Sequence, residues 1–253
     1  EKMLAEGNAD FVALGRSQLA EPAWAKKAKE GRASDIKPCI NCLIGCIDRG
    51  MLSHTPIHCT VNPSLYRFEC KPVEKAETRK QVAVVGAGPA GCEAALTASK
   101  RGHQVTIYEK RCIGGAMIEA SKPENKANIK RLIHYYEDHI MHDPNITLVK
   151  EEVEYETLVH SGYDAVIIAV GGKTRILNVP GIEKNSVIYA SDYLNGSTAV
   201  TGNTVVVIGG GITGAETALE LNAEGKKVTI VEMTDAFLAN LVPLVRHILQ
   251  RSM

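Results

Sequence analysis

No stretch of this 253-residue chain sustains the roughly 18 apolar residues needed to cross a bilayer, and no long basic run offers itself to nucleic acid or an anionic surface. Lysine and arginine (29) balance aspartate and glutamate (29), so the formal net charge is zero and the pI is near 7.3. The first residues, EKMLAEGNAD, hold neither a charged head followed by an apolar block nor a cleavage site. Membranes, nucleic acid and secretion are therefore poor expectations. An odd count of seven cysteines also speaks against an extracellular disulfide framework, and a reducing cytoplasm is the expected setting. With 45% hydrophobic residues the chain can build a substantial core, in one large domain or two ordinary ones. It opens on Glu1 in what reads as the end of a helix and closes on QRSM inside another helical pattern, which reads as a piece of a longer polypeptide.

What is present is an alternation of strands and helices. QVAVV (81–85) is a short apolar strand, followed by a glycine turn, the small-residue helix PAGCEAALTASKRG and a second strand, QVTIYE (104–109). ENKANIKRLIHYYEDHI places Ile129, Leu132, Ile133, Tyr136 and Ile140 on one helical stripe. ITLVK (146–150) and YDAVIIAV (163–170) read as further strands, the second apolar nearly throughout, as in a strand covered on both faces. TVVVI (204–208), the helix TGAETALELNAEG and KVTIVE (227–232) then repeat the first unit, and the charged, aperiodic KPVEKAETRK (71–80) reads as a linker.

The repeat carries chemistry. GAGPAG (86–91) and GGGITG (209–214) begin 123 residues apart, and each follows a strand and opens a helix. Each is followed, 23 residues after its first glycine, by an acid that closes the next strand, Glu109 or Glu232. In such a fingerprint the first glycine (Gly86, Gly209) allows the tight turn and the second (Gly88, Gly211) lets a pyrophosphate approach the backbone. The third (Gly91, Gly214) lets helix and strand pack closely. Pro89 and Ala90 complete the first loop over the positive helix end, and the acid accepts hydrogen bonds from ribose hydroxyls. One such loop is weak evidence, since glycine turns also arise for structural reasons. Two copies in full context predict two dinucleotide sites.

Four of the cysteines, Cys39, Cys42, Cys46 and Cys59, crowd into PCINCLIGCIDRGMLSHTPIHC. Disulfides, zinc or an iron–sulfur cluster could each hold them. Zinc sites usually show two separated knuckles. One CxxC with a third cysteine close behind and a fourth at a distance suits the corners of a cubane better, although thiolate sets overlap between the two metals. Cys70 lies outside the pattern. Cys92 and Cys112 stand alone, each read as a small packed residue rather than a redox centre.

These features resemble known families. The two fingerprints resemble the two-dinucleotide flavoprotein reductases, which bind FAD at the first and a nicotinamide nucleotide at the second. The resemblance implies flavin contacts at Glu109 and Lys110, at Gly115 in the glycine-pair loop CIGGAMI (112–118), and at Ala169 and Gly171 in the turn after YDAVIIAV. It also places Glu216 near the nicotinamide, although a solvated or helix-N-terminal acid is an equal reading of that residue. Glu232 is followed by MTD, with no base to meet a 2′-phosphate, which favours NADH over NADPH. PCINCLIGC followed by CTVNP (59–63) resembles the cluster segment of the iron–sulfur branch of the old yellow enzyme family. The match implies that Cys39, Cys42, Cys46 and Cys59 are ligands of a 4Fe–4S cluster. NADFVALGRSQLAEPAWAKKAKEG resembles the last strand and loop of that family's (β/α)8 barrel, with FVALGR as the strand and Gly15 and Arg16 at an FMN phosphate. An ordinary strand–turn–helix is the alternative for this segment.

The expected architecture is thus α/β: the end of an FMN barrel (1–37), a cluster loop (38–70), a linker (71–80), an FAD-binding domain (81–201) and part of an NAD(P)-binding domain (202–253). The implied function is an oxidoreductase that passes electrons from NADH through FAD and the cluster to FMN, reducing a small activated alkene of the enoate or enoyl-CoA type. Residues 1–70 are expected to expose a face built for burial against the rest of a barrel, or to self-associate as a homo-oligomer. The rival readings are a non-catalytic fragment that binds nucleotide or zinc, and an electron-transfer subunit that serves another protein.

Overall fold

The computed structural model describes residues 2–65, 73–239, 241 and 243–253. The chain divides into two compact units, Glu1–Pro72 and Val73–Met253. Cys70 and the first residues of the expected linker lie outside the described residues. Among the described residues no helix is long and apolar enough to cross a membrane.

The first unit is built from short pieces: α1 (Lys2–Ala5), α2 (Arg16–Ala20), α3 (Trp24–Lys29), a 3-10 turn at Ala33–Asp35 and a wide π-helical coil at Ile44–Leu52. The expected strand FVALGR does not form. Residues 11–14 have no regular structure, Phe11 is 91% exposed, and Arg16 already opens α2. A barrel strand is held by ladders to its two neighbours, and no strand lies among the described residues of this unit to supply them. Polar ties hold the unit instead. The buried Glu21 carboxylate accepts from Lys27 Nζ at 2.6 Å, from the Ala23 N–H at 3.1 Å and from the Lys37 N–H at 3.4 Å. Asn62, also buried, donates from Nδ2 to the Leu19 carbonyl at 2.8 Å.

The second unit opens with β1 (Gln81–Val85), α4 (Pro89–Lys100), β2 (Gln104–Tyr108), α5 (Met117–Ala120), α6 (Ala127–Met141), β3 (Ile146–Val149), α7 (Tyr155–His160) and β4 (Ala165–Ile168). Its four strands form a parallel sheet in the order β3-β2-β1-β4, with Val82 opposite Val105 and Ala165. Central β1 buries Val82, Ala83 and Val84, and β2 buries Val105 and Ile107. Helix α4 lies on the sheet through Cys92, Ala95 and Ala98, whose small side chains allow the close approach. Helix α6 buries Ile129, Leu132, Ile133, Tyr136 and Ile140, the stripe its spacing predicts. Each such burial contributes about 1.5–3 kcal/mol. Strand β4 departs from expectation. It is an edge strand with Val166 41% and Ile168 65% exposed, because among the described residues it pairs only with β1.

The chain continues through α8 (Ala190–Leu194), β5 (Thr204–Ile208), α9 (Ile212–Ala223), β6 (Lys227–Val231) and α10 (Pro243–Ser252). Strands β5 and β6 pair in parallel, Thr204 opposite Lys227, in the same register as Gln81 opposite Gln104. Tyr193, Leu194, Val207, Ala218 and Leu221 form the core beneath them.

Candidate functional site: two nucleotide loops and a four-cysteine pocket

The two fingerprints superimpose in their hydrogen bonds. The Gly86 N–H donates to the Tyr108 carbonyl and the Gly209 N–H to the Val231 carbonyl, each at 2.8 Å. Both glycines turn through positive φ, +100° and +108°, a region costly for any residue with a Cβ. A Cβ on Gly91 would collide with the Gly86 carbonyl oxygen, and one on Gly214 with that of Gly209. The middle glycines face open room. A Cβ on Gly211 would meet nothing within 4 Å, and one on Gly88 only the Gly115 Cα at 3.9 Å. Gly88 and Gly211 cap α4 and α9 without a side-chain bond, and Pro89, Ala90, Ile212 and Thr213 of the first turns are exposed. Free helix-end N–H groups beneath open space suit a pyrophosphate.

The acids match as closely. Glu109 accepts from the Ala87 N–H at 2.8 Å and the Arg111 N–H at 2.7 Å. Glu232 accepts from the Gly210 N–H at 2.7 Å and from the Thr234 N–H and hydroxyl at 2.9 Å. Both follow directly after their strands and tie strand end to loop. Both Glu109 oxygens and Glu232 Oε2 keep a second lone pair on which a ribose hydroxyl can donate, whereas Glu232 Oε1 already accepts twice. The Gly210 N–H, then those of Thr234, hold the Glu232 carboxyl below its usual range.

The remaining candidates divide. The 112–118 loop folds onto the first fingerprint: the Gly114 N–H donates to the Ala87 carbonyl at 2.9 Å, and a Cβ on Gly115 would stand 2.8 Å from the Gly88 Cα. Ala169 also closes on this loop, since a Cβ on Gly86 would reach its carbonyl oxygen at 2.5 Å, and Gly171 follows at φ +70°. Lys110 does not join them, because its ammonium pairs with exposed Glu152 at 2.7 Å. Glu216 is neither a free acid nor a solvated one. It pairs with Lys126 Nζ at 2.6 Å, and the two side chains are 12% and 26% exposed. No sequence signal marks Lys126. The lysine sits in a polar helix start 90 residues before its partner.

In the first unit, Cys39, Cys42, Cys46 and Cys59 line one pocket, together with Arg16, His58 and Thr60. Gly15, which carries Arg16 into α2, faces open space. The Asn41 N–H donates to Cys39 Sγ at 3.4 Å, and Cys42 Sγ lies 3.1 Å from Thr60 Oγ1. Burial pushes the Cys39 thiol up, while the Asn41 N–H and the Arg16 charge act the other way. Asn41 and Leu43, on either side of Cys42, both hold left-handed backbone (φ 56° and 62°), a conformation costing about 1–3 kcal/mol where no glycine relieves it. No disulfide links the four. Among the described residues no three metal-binding side chains converge for a single ion. A 4Fe–4S cubane has iron at four of its eight corners, each taking one thiolate and set wider apart than the ligands of a lone ion, so four sulfur donors around one pocket fit such a cluster in kind and number. Elsewhere, Cys92 is fully buried with its thiol pushed up to about 12 by burial, whereas Cys112 is exposed rather than packed as expected, since its turn lies outside the sheet.

The chain is 42% identical over 251 residues to an NADH oxidase of Thermoanaerobacter brockii, covering 97% of this chain and 39% of that protein. It is 36% identical to a cinnamate reductase of Clostridium sporogenes, covering 92% and 34%. A 2-naphthoyl-CoA reductase, solved with 2-naphthoyl-CoA, superimposes with a TM-score of 0.94 at 32% identity, covering all of this chain and 38% of its own. The chain thus spans under two-fifths of the length of these relatives, which come from the old yellow enzyme branch that the cysteine segment resembles. The pyridine nucleotide-disulphide oxidoreductase model matches residues 80–253, taking in both nucleotide loops, and with that match the paired fingerprints place this chain in the pyridine nucleotide-disulphide oxidoreductase family.

Proposed function

We propose that this chain is the electron-input part of an NAD(P)H-dependent flavin and iron–sulfur oxidoreductase. Electrons pass from NADH to FAD, to a 4Fe–4S centre and on to FMN, and the substrate is an alkene conjugated to a carboxylate or thioester. The pocket lined by four cysteines, in one chain with two complete nucleotide loops, carries the reading. When bound, a flavin accepts a hydride and releases electrons singly, and an iron–sulfur cluster carries them one at a time.

In this reading the chain's residues do the holding. Gly88, Gly91 and the first turn of α4 receive the FAD pyrophosphate, and Glu109 its ribose. Gly211, Gly214 and Glu232 do the same for the nicotinamide nucleotide, with no base after Glu232 to prefer a 2′-phosphate. Cys39, Cys42, Cys46 and Cys59 hold the cluster. Residues 1–37 belong to the end of an FMN barrel, with Gly15 and Arg16 on the phosphate side. The substrate class rests on relatives named for cinnamate and 2-naphthoyl-CoA, both acyl groups conjugated to carbon–carbon double bonds.

The test is anaerobic purification followed by iron, zinc, sulfide and flavin analysis. Iron and acid-labile sulfide in equal amounts, with FAD present and NADH-dependent bleaching of the flavin, is the expected result. Zinc without sulfide, or no flavin, overturns the proposal.

A further inference from the structure

We infer that Arg16 tunes the four-cysteine centre, its fixed positive charge offsetting the negative charge that thiolates and sulfide would gather there. The inference rests on the cluster reading above and adds a residue and a role to it.

Arg16 shares the pocket wall with all four cysteines, and among the described residues that wall contains no carboxylate. A guanidinium keeps its charge at any ordinary pH. Among the described residues Arg16 makes no ion pair, and Glu21, just beyond α2, is taken by Lys27. The four thiols are thus the acidic groups known to share its pocket.

Its placement is fixed from both sides of the cysteine loop. The last turn of α2 receives Asn62 Nδ2 on the Leu19 carbonyl at 2.8 Å, and Asn62 follows Cys59 by three residues. Just beyond α2, Glu21 accepts from the Lys37 N–H at 3.4 Å, two residues before Cys39. The segments that deliver the first and last cysteines are therefore fastened to the helix that carries Arg16. The Asn41 N–H and the Thr60 hydroxyl add donors near Cys39 and Cys42 Sγ. Charge and donors near the sulfurs set the potential of an iron–sulfur centre. Arg16 is exposed, so water screens part of its effect.

The test is an EPR-monitored redox titration of the anaerobically purified full-length protein, with Arg16→Gln and Arg16→Lys beside the wild type and iron, sulfide and FMN assayed in each. Arg16→Gln should keep iron and sulfide and move the centre to a lower potential, up to tenfold in its reduction equilibrium, about 59 mV for one electron. Arg16→Lys should recover most of the shift. An unchanged potential in a loaded Arg16→Gln protein overturns the inference and leaves the cluster reading intact. So does release of FMN with the potential unmoved, which would make the arginine a phosphate ligand. Equal loss of iron from both variants would show a folding role and also overturn it. Zinc without sulfide in the wild type sinks the cluster reading and this inference together.

Discussion

Lys126 and Glu216 close an ion pair at 2.6 Å between the turn that leads into α6 and the second turn of α9, joining the first nucleotide-binding half to the second. Glu216 stands seven residues after Gly209, and Glu93 stands seven after Gly86. The same position in the repeat therefore meets different partners, since Glu93 accepts from the buried Tyr136 hydroxyl at 2.7 Å. Glu216→Ala strands a three-quarters-buried ammonium and should cost about 1–3 kcal/mol, between the values for exposed and buried pairs. Adding Lys126→Met should restore part of that loss. Urea denaturation of both single variants and the double variant measures the coupling, and strict additivity would show that the two side chains do not interact.

The third glycines give a paired test. Alanine at Gly91 or at Gly214 drives a Cβ into the carbonyl oxygen of its own loop, so each should cost on the order of 3 kcal/mol, at the upper end for overpacking. The consequences should separate: Gly91→Ala should lose FAD, whereas Gly214→Ala should keep FAD and lose its reduction by NADH. Gly202→Ala meets only the Thr204 carbonyl oxygen at an ordinary 3.7 Å and serves as the control, expected within about 0.5 kcal/mol of the parent. Flavin content and stopped-flow reduction distinguish the three.

What could be read in the sequence follows the range of the interactions involved. The α6 stripe and both βαβ units were legible because helix and strand periodicity are local, and the same few residues that set the period also make the core. The reading failed where the outcome depends on neighbours. FVALGR has the composition of a strand, yet without flanking strands among the described residues its backbone forms no ladder. YDAVIIAV reads as doubly covered, yet β4 is an exposed edge. The four cysteines were legible as a group, but Arg16 in their wall was not, because helix α2 and residue Asn62 bring it there across 23 residues of chain. Lys126 offered no signal for the same reason.

The exposure of β4 makes its own prediction. In this 253-residue chain, Val166→Thr and Ile168→Thr should each change stability by less than about 0.5 kcal/mol, because neither residue is buried. Ile107→Ala, one strand over from β1 and fully buried, should cost about 2–5 kcal/mol. The β4 substitutions should also reduce self-association, since an apolar edge strand offers unpaired N–H and C=O groups to another copy. Light scattering on the parent and the double threonine variant is the measurement, and unchanged scattering would remove β4 as the sticky surface.

Glu232 predicts a pH dependence whose sign can be worked out. Its carboxyl is held below the ordinary value by the N–H of Gly210 and the N–H and hydroxyl of Thr234, so the folded state prefers the ionised form more than the unfolded chain does. The stabilisation is therefore complete above the unfolded carboxyl's range, near pH 4.3, and is lost as pH falls through the lower folded value. Glu232→Gln should be less stable than the parent at pH 7, and the gap should close as acid protonates the parent's carboxylate. If Glu232 holds the ribose as proposed, the same substitution replaces a charged acceptor with a neutral one there, and should raise KM for NADH roughly tenfold while leaving flavin content unchanged. Parallel acid-unfolding curves and NADH titrations test both halves. A gap that persists below the carboxylate range would mean that the glutamine variant fails for reasons of shape rather than charge.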